Sequence, residues 1–237
     1  MKKLMTTLLI LVSLASFAQN NKWFVSVSSN RNFGGPAASI KKQMNRQGFN
    51  HTSLATFFGI TISEDHPVIN KSPNLMLHAG KRIDARKSVY IAAGIADISE
   101  VSGYKIEGNP SGFWLLDGTY GNNPSVKTKL YQLSVGYLFS EKRRAKWGVA
   151  PSLFVMDYTL TNYDESDRHT AFTAGITGTA RIPLGRERRL VGVDLITALN
   201  LVPPVKMKSG KADSRYFSPG SVNMIFGSLG LALSFRR

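Results

Sequence analysis

Cysteine is absent from the 237-residue chain. That excludes a disulfide scaffold, thiol catalysis and thiolate metal sites, so stability must come from packing and hydrogen bonds. Histidine is scarce. His51, His66, His78 and His169 show no metal-ligand spacing such as H-x-H or H-E-x-x-H. The run Glu64-Asp65-His66 has no second ligand cluster to complete a cation site. Gly34-Gly35 leads into Pro36 rather than a phosphate-loop lysine, which rejects a nucleotide loop. Acidic residues are few, 15 against 30 Lys and Arg, for a formal charge of +15. No apolar run after residue 18 is long enough for a membrane helix. No catalytic, cofactor or metal constellation is therefore expected.

What is present begins at the N-terminus. Lys2 and Lys3 precede the apolar stretch Leu8 to Leu14, and Ala15-Ser16-Phe17-Ala18 supplies small residues after it. This is the layout of a secretory signal peptide, which assigns residues 1–18 to export and 19–237 to one folded domain. No cysteine follows the apolar stretch, so a lipoprotein anchor has no attachment point. Export also redirects the meaning of the charge. A basic cytoplasmic chain suggests nucleic acid; an exported one meets lipid phosphates and lipopolysaccharide instead, and no nucleic-acid partner is expected.

The rest of the chain alternates with period two. Tyr131, Leu133, Val135, Tyr137 and Phe139 face one way, Gln132, Ser134 and Gly136 the other, with Leu138 an exception. Phe172, Ala174, Ile176, Ala180 and Ile182 alternate with Thr173, Gly175, Thr177, Thr179 and Arg181. Leu229, Leu231, Leu233 and Phe235 alternate with Ser228, Gly230, Ala232 and Ser234. Strands are predicted near 22–30, 73–83, 88–104, 127–140, 146–160, 170–184, 190–202 and 222–235. Most are longer than the usual ~5–6 residues of soluble sheets and match the ~9–11 tilted residues that cross a bilayer. The connections alternate in length. Asp84–Lys87, Glu141–Ala145 and Gly185–Arg189 are short; 31–72, 105–126, 161–169 and 203–221 are long. Short turns on one rim and long loops on the other characterise bacterial outer-membrane barrels.

On the signal peptide, this hairpin rhythm and the last strand Ser228 to Phe235, the sequence over residues 22–237 resembles the small outer-membrane barrels related to OmpA and OmpX, of the porin-family type. The resemblance implies an all-β, roughly eight-stranded antiparallel up-and-down transmembrane barrel in the outer membrane, a monomer delivered by the barrel assembly machinery. Barrels of this kind usually end on an aromatic residue; here Phe235 is followed by Arg236-Arg237.

Closing about eight strands leaves room only for side chains. The Gly, Ala, Ser and Thr stripe suits that interior, and the Leu, Val, Ile, Phe and Tyr stripe suits lipid. Trp23, Phe139, Trp147 and Phe235 are expected at the short-turn rim, Tyr104, Tyr131 and Tyr158 toward the other. Arg181 and Asp194 flank the 185–189 turn on inward stripes and should be near cross-strand neighbours, with His78 and Arg82 as further members of an interior polar network. In the first long loop Gly35-Pro36 can start a short helix, Ile40 and Met44 share one face, and Gly48 can end it. Its other face carries Lys41, Lys42 and Arg46, a candidate lipopolysaccharide contact; a helix merely packed over the barrel mouth is the simpler expectation.

The leading functional reading is a non-enzymatic outer-membrane barrel serving envelope structure or loop-mediated adhesion. The alternatives are a lipid-modifying barrel enzyme, with His78 or His169 as base to a serine, and a soluble exported barrel carrying an apolar ligand.

Overall fold

The computed structural model describes residues 23–57, 60–84, 86–106, 121–141, 145–162, 165–185, 191–208 and 217–236. The expected signal peptide lies outside the described residues. Eight long strands dominate: β1 (Trp23–Gly34), β2 (Asn74–Arg82), β3 (Lys87–Ser102), β4 (Ser125–Glu141), β5 (Ala145–Asn162), β6 (Glu165–Pro183), β7 (Val191–Leu201) and β8 (Phe226–Arg236). Each pairs antiparallel with the next, and β8 pairs with β1, so the sheet closes on itself.

Following the register from Trp23 leads through Lys81, Val89, Tyr137, Val149, Gly178, Leu199 and Gly227 back to β1 at Phe33. The stagger from Trp23 to Phe33 is 10 residues. With a rise of ~3.3 Å and a strand spacing of ~4.8 Å, this stagger tilts the strands by about 40°. Each residue then climbs about 2.5 Å along the barrel axis, and ten residues climb the ~25 Å apolar height of an outer-membrane barrel.

The side chains show where lipid ends. On β5 the outward Trp147, Val149 and Leu153 are 57 %, 57 % and 58 % exposed, while inward Ala150 and Ser152 are buried. From Phe154 upward the pattern inverts. Phe154, Met156, Tyr158 and Leu160 point in and are buried, whereas Asp157, Thr159 and Thr161 point out. Strand β4 repeats this: Tyr131, Leu133, Val135, Tyr137 and Phe139 are exposed outward, and Lys127 and Lys129 continue the same stripe above them. The same strands serve two solvents. Beside lipid the apolar face turns out; beside water it turns in.

Tyr158 was expected on the upper aromatic rim, but it lies above the inversion and points inward, its hydroxyl accepting the Lys208 N–H at 2.6 Å. The expected long loop 161–169 is also corrected. β5 and β6 stay paired up to Asn162 and Glu165, so that hairpin rises out of the barrel as sheet. The second strand starts earlier than expected too. Val68–Ser72 pairs with β3 in the same register as β2, the two halves being interrupted at Pro73, which lacks the N–H a ladder needs.

In the first long connection, helix α1 (Gly35–Arg46) follows β1 directly. Gly34 and Gly35 have φ of 78° and 76°, left-handed values that let the chain fold from strand into helix, and Pro36 stands in the first turn. Ala37, Ile40 and Met44 form one buried face and pack into an apolar core with Phe49, Val126, Phe154, Phe217 and Phe226. That core fills the barrel mouth above the lipid zone.

Candidate functional site

Below the helix the bore is filled by three layers of polar side chains. Lowest is a charged layer. Arg181 Nε donates to Asp194 Oδ2 at 2.5 Å, Arg181 Nη2 donates to Ser234 Oγ at 2.9 Å, and Ser234 Oγ donates to Asp194 Oδ2 at 2.5 Å. Arg181 and Asp194 are 5 % and 0 % exposed. They are diagonal rather than direct partners, since Asp194 sits opposite Pro183 and Arg181 opposite Ile196. The Arg181 guanidinium also lies over the inward Phe24 ring, 5.5 Å from its centre. His78 is nearby, its Nε2 within 3.4 Å of Ser28 Oγ. Arg82 does not join this layer: it is exposed at the end of β2, where the strand runs out to the short-turn rim.

The middle layer is neutral. Gln132 Nε2 donates to Ser134 Oγ at 2.8 Å and to Thr177 Oγ1 at 2.9 Å. Ser134 and Ser152 hydroxyls share a 2.6 Å hydrogen bond, Ser152 and Thr177 one of 2.7 Å, and Thr177 Oγ1 donates to Asn200 Oδ1 at 2.8 Å. Four strands are thus laced together across the bore. Sequence reasoning placed Gln132, Ser134 and Thr177 on inward stripes without linking them and did not single out Ser152 or Asn200, because small hydroxyls and amides carry no mark of their cross-barrel partners.

The upper layer surrounds Asp97. A β-bulge between Ile95 and Asp97, preceded by Gly94 at φ 156°, shifts the parity of β3 and turns the Asp97 carboxylate inward, 2 % exposed. Asn32 Nδ2 donates to its Oδ1 at 3.0 Å and also to the Ala96 carbonyl; Ser99 Oγ donates to its Oδ2 at 3.0 Å and shares a 2.7 Å hydrogen bond with Thr128. A cavity lies between the charged layer and the plug, lined by Asn30, Asn32, His78, Tyr90 and Phe226 among others.

The plug is clamped. Gln43 Nε2 donates to Ser221 O at 2.8 Å while its Oε1 accepts Gly220 N–H at 2.7 Å. Gln47 makes the same two-way pair with the backbone of Ser218, at 2.8 and 3.1 Å. Asn162 grips the Phe217 backbone likewise, at 3.2 and 3.0 Å. On the far side of the helix Lys42 and Arg46 are exposed and Lys41 is half-buried.

His78 is enclosed in the bore, and Asp194 is already engaged by Arg181 and Ser234. His169 lies against Tyr158 above the lipid zone, with ring centres 5.3 Å apart and planes tilted by 39°. Among the described residues no group of three or more His, Asp or Glu is placed to hold a metal, and no helix is long and apolar enough to cross a membrane.

Closed strands, an outward apolar belt and a polar-filled bore define the class: a small eight-stranded barrel of the outer-membrane type. Among solved structures the chain is similar to Ail, the attachment invasion locus protein of Yersinia pestis, at 8% identity and a TM-score of 0.43 over 91% of this chain and 99% of that one. It is similar to Neisserial surface protein A at 11% identity and a TM-score of 0.42, over 92% and 98%. The N-terminal β-barrel domain of Pseudomonas aeruginosa OprF follows at 10% and 0.39, over 92% and 100%. These likenesses are distant, and the fold assignment rests on the strand pairing itself. No family model and no curated protein matches the chain.

Proposed function

We propose that the protein is a sealed, non-enzymatic barrel of the outer membrane that strengthens the envelope and presents a rigid head outside the cell for binding. The observation that carries this reading is the inversion of the two faces along β4 and β5. It marks a belt for lipid below and a water-facing head above, joined by continuous strands.

The filled bore supports a structural role over a diffusion pore. The polar interior supports the membrane reading over a soluble carrier of an apolar ligand, which would keep an apolar lumen and a polar exterior. The enclosure of His78 in the bore supports a role without catalysis. Contact with lipopolysaccharide is part of the reading. Exposed Lys42 and Arg46 on the plug, and Lys127 and Lys129 just above the Tyr131 level, offer cations to anionic headgroups.

The test is membrane fractionation with heat-modifiable migration on detergent gels. Recovery in the outer-membrane fraction, with unheated protein running ahead of heated, is the expected result. Recovery from the soluble periplasm without detergent would overturn it. An altered lipid A mass in expressing cells, lost in His78→Ala or His169→Ala, would instead establish the enzyme.

A further inference from the structure

The lower margin of the lipid belt carries an uneven load of charge. At the end of the β2–β3 hairpin Lys81, Arg82, Arg86 and Lys87 are all exposed. The one carboxylate there, Asp84, accepts the Arg86 and Lys87 backbone N–H groups at 2.6 and 2.7 Å. Among the described residues none of the four cations is in an ion pair. Clustered like charges repel one another, so an anion brought among them is held favourably.

Two of the four leave the barrel on its lipid-facing side. Lys81 lies opposite outward Trp23 and Val89, and Lys87 lies opposite outward Phe139. Lys81 Nζ stands over the Trp23 ring, 5.8 Å from its centre. Ile83 continues the same stripe, its N–H bonded to the Lys87 carbonyl at 2.9 Å and its side chain 55 % exposed. Arg82 pairs with Ser88, which makes Lys81 and Lys87 diagonal neighbours on one face, with Cβ atoms about 7 Å apart. Trp23 and Phe139 belong to the lower aromatic belt, where rings mark the boundary between lipid and water. A lysine at that height lays its methylenes along the apolar wall and keeps its ammonium among the headgroups.

We infer that Lys81 and Lys87 form a binding site for the headgroup of an anionic phospholipid of the phosphatidylglycerol class, in the leaflet around the short-turn rim. The inference rests on the outer-membrane reading. The phosphodiester oxygens bridge the two ammonium groups, while Ile83 and the Trp23 and Phe139 rings meet the glycerol and the first methylenes. Arg82 and Arg86 deepen the local potential that draws the anion in. A zwitterionic headgroup brings its own cation and gains less from the pair. A lysine beside an anionic surface is worth about a fivefold preference.

The experiment uses Trp23 as reporter. Trp114→Phe with Trp147→Phe leaves it the single tryptophan of the full chain. This protein is folded into phosphatidylcholine vesicles in which a fixed fraction of lipid, either phosphatidylglycerol or phosphatidylcholine, has brominated acyl chains that quench the tryptophan they touch. Expected is stronger quenching by brominated phosphatidylglycerol, equivalent to about fivefold or greater relative affinity and weakened by added salt. Lys81→Gln with Lys87→Gln should bring the ratio close to one. Arg31→Gln, which removes a charge higher on β1 opposite Leu229, should leave it unchanged. Folding of each variant is checked by unheated gel migration. Equal quenching by the two lipids, a preference that survives in the folded double variant, an equal loss in Arg31→Gln, or displacement of the lipid by sodium phosphate at matched ionic strength would overturn the site. Quenching by neither lipid would deny the lipid wall itself, and the outer-membrane reading would fall with the site.

Discussion

Leu231 offers a direct measure of the lipid-facing wall. It stands outward on β8 between Ser29 of β1 and Leu195 of β7, 55 % exposed. Phe235, four positions below, belongs to the lower aromatic belt. At about 2.5 Å of climb per residue, Leu231 lies ~10 Å above that belt, near the middle of a ~25 Å apolar band. An arginine there has no nearby headgroup to reach, and the expected cost is ~2–4 kcal/mol. That corresponds to a roughly 30- to 1,000-fold loss in the folding equilibrium. Ala232, one residue on, points inward between Ser28 and Asp194, so Ala232→Ser should cost under ~1 kcal/mol by joining a polar layer. The assay is reversible urea titration of the barrel in phospholipid vesicles, read by tryptophan fluorescence and gel migration. Leu231→Arg no worse than Ala232→Ser would refute the face assignment.

Other expectations follow from the interior and the head. Asp194→Ala strands the buried Arg181 charge and should cost ~3–5 kcal/mol, while the double change with Arg181→Ala should cost less than the sum; additive losses in the double-mutant cycle would deny the coupling. Lys42→Cys, in a chain with no other cysteine, should react with a membrane-impermeant maleimide on intact cells; labelling only after permeabilisation would reverse the topology. Asp84 accepts the Arg86 and Lys87 backbone N–H groups at 2.6 and 2.7 Å, which hold its carboxyl below the ordinary range. Its contribution to the turn is present above the unfolded carboxylate pKa and is lost as pH falls through the depressed folded value, so Asp84→Asn should flatten the acid limb of a stability–pH curve. Unmodified protein should give no large steady conductance in planar bilayers, since the bore is laced by side chains and capped by α1.

The wall was legible in the sequence because its signal is local. Period-two alternation and turn residues within one hairpin suffice to place strands such as 131–139 and 228–235. The Arg181 and Asp194 stripes are likewise readable, being separated by one short turn. The head was not legible. Tyr158 and the 161–169 segment read as rim and loop because a strand leaving lipid keeps its alternation and only swaps which face is apolar; that swap looks like a break in pattern. The Asp97 layer was hidden for another reason. It depends on a bulge that shifts parity within β3 and on Asn32 of β1, far away in the chain. Closure itself joins β1 to β8 across nearly the whole sequence, and no local pattern encodes that contact.

The two-solvent wall is the claim on which the rest depends, and nitroxide scanning of β5 tests it most directly. Single cysteines at Trp147, Val149, Leu153, Asp157, Thr159 and Thr161, in a chain otherwise without cysteine, would carry the label in reconstituted membranes. The expected result is strong relaxation by oxygen at Trp147, Val149 and Leu153, and strong relaxation by a water-soluble nickel chelate at Asp157, Thr159 and Thr161. Nickel-dominated relaxation at Trp147, Val149 and Leu153 would mean that water, not lipid, surrounds the barrel, and would contradict the account.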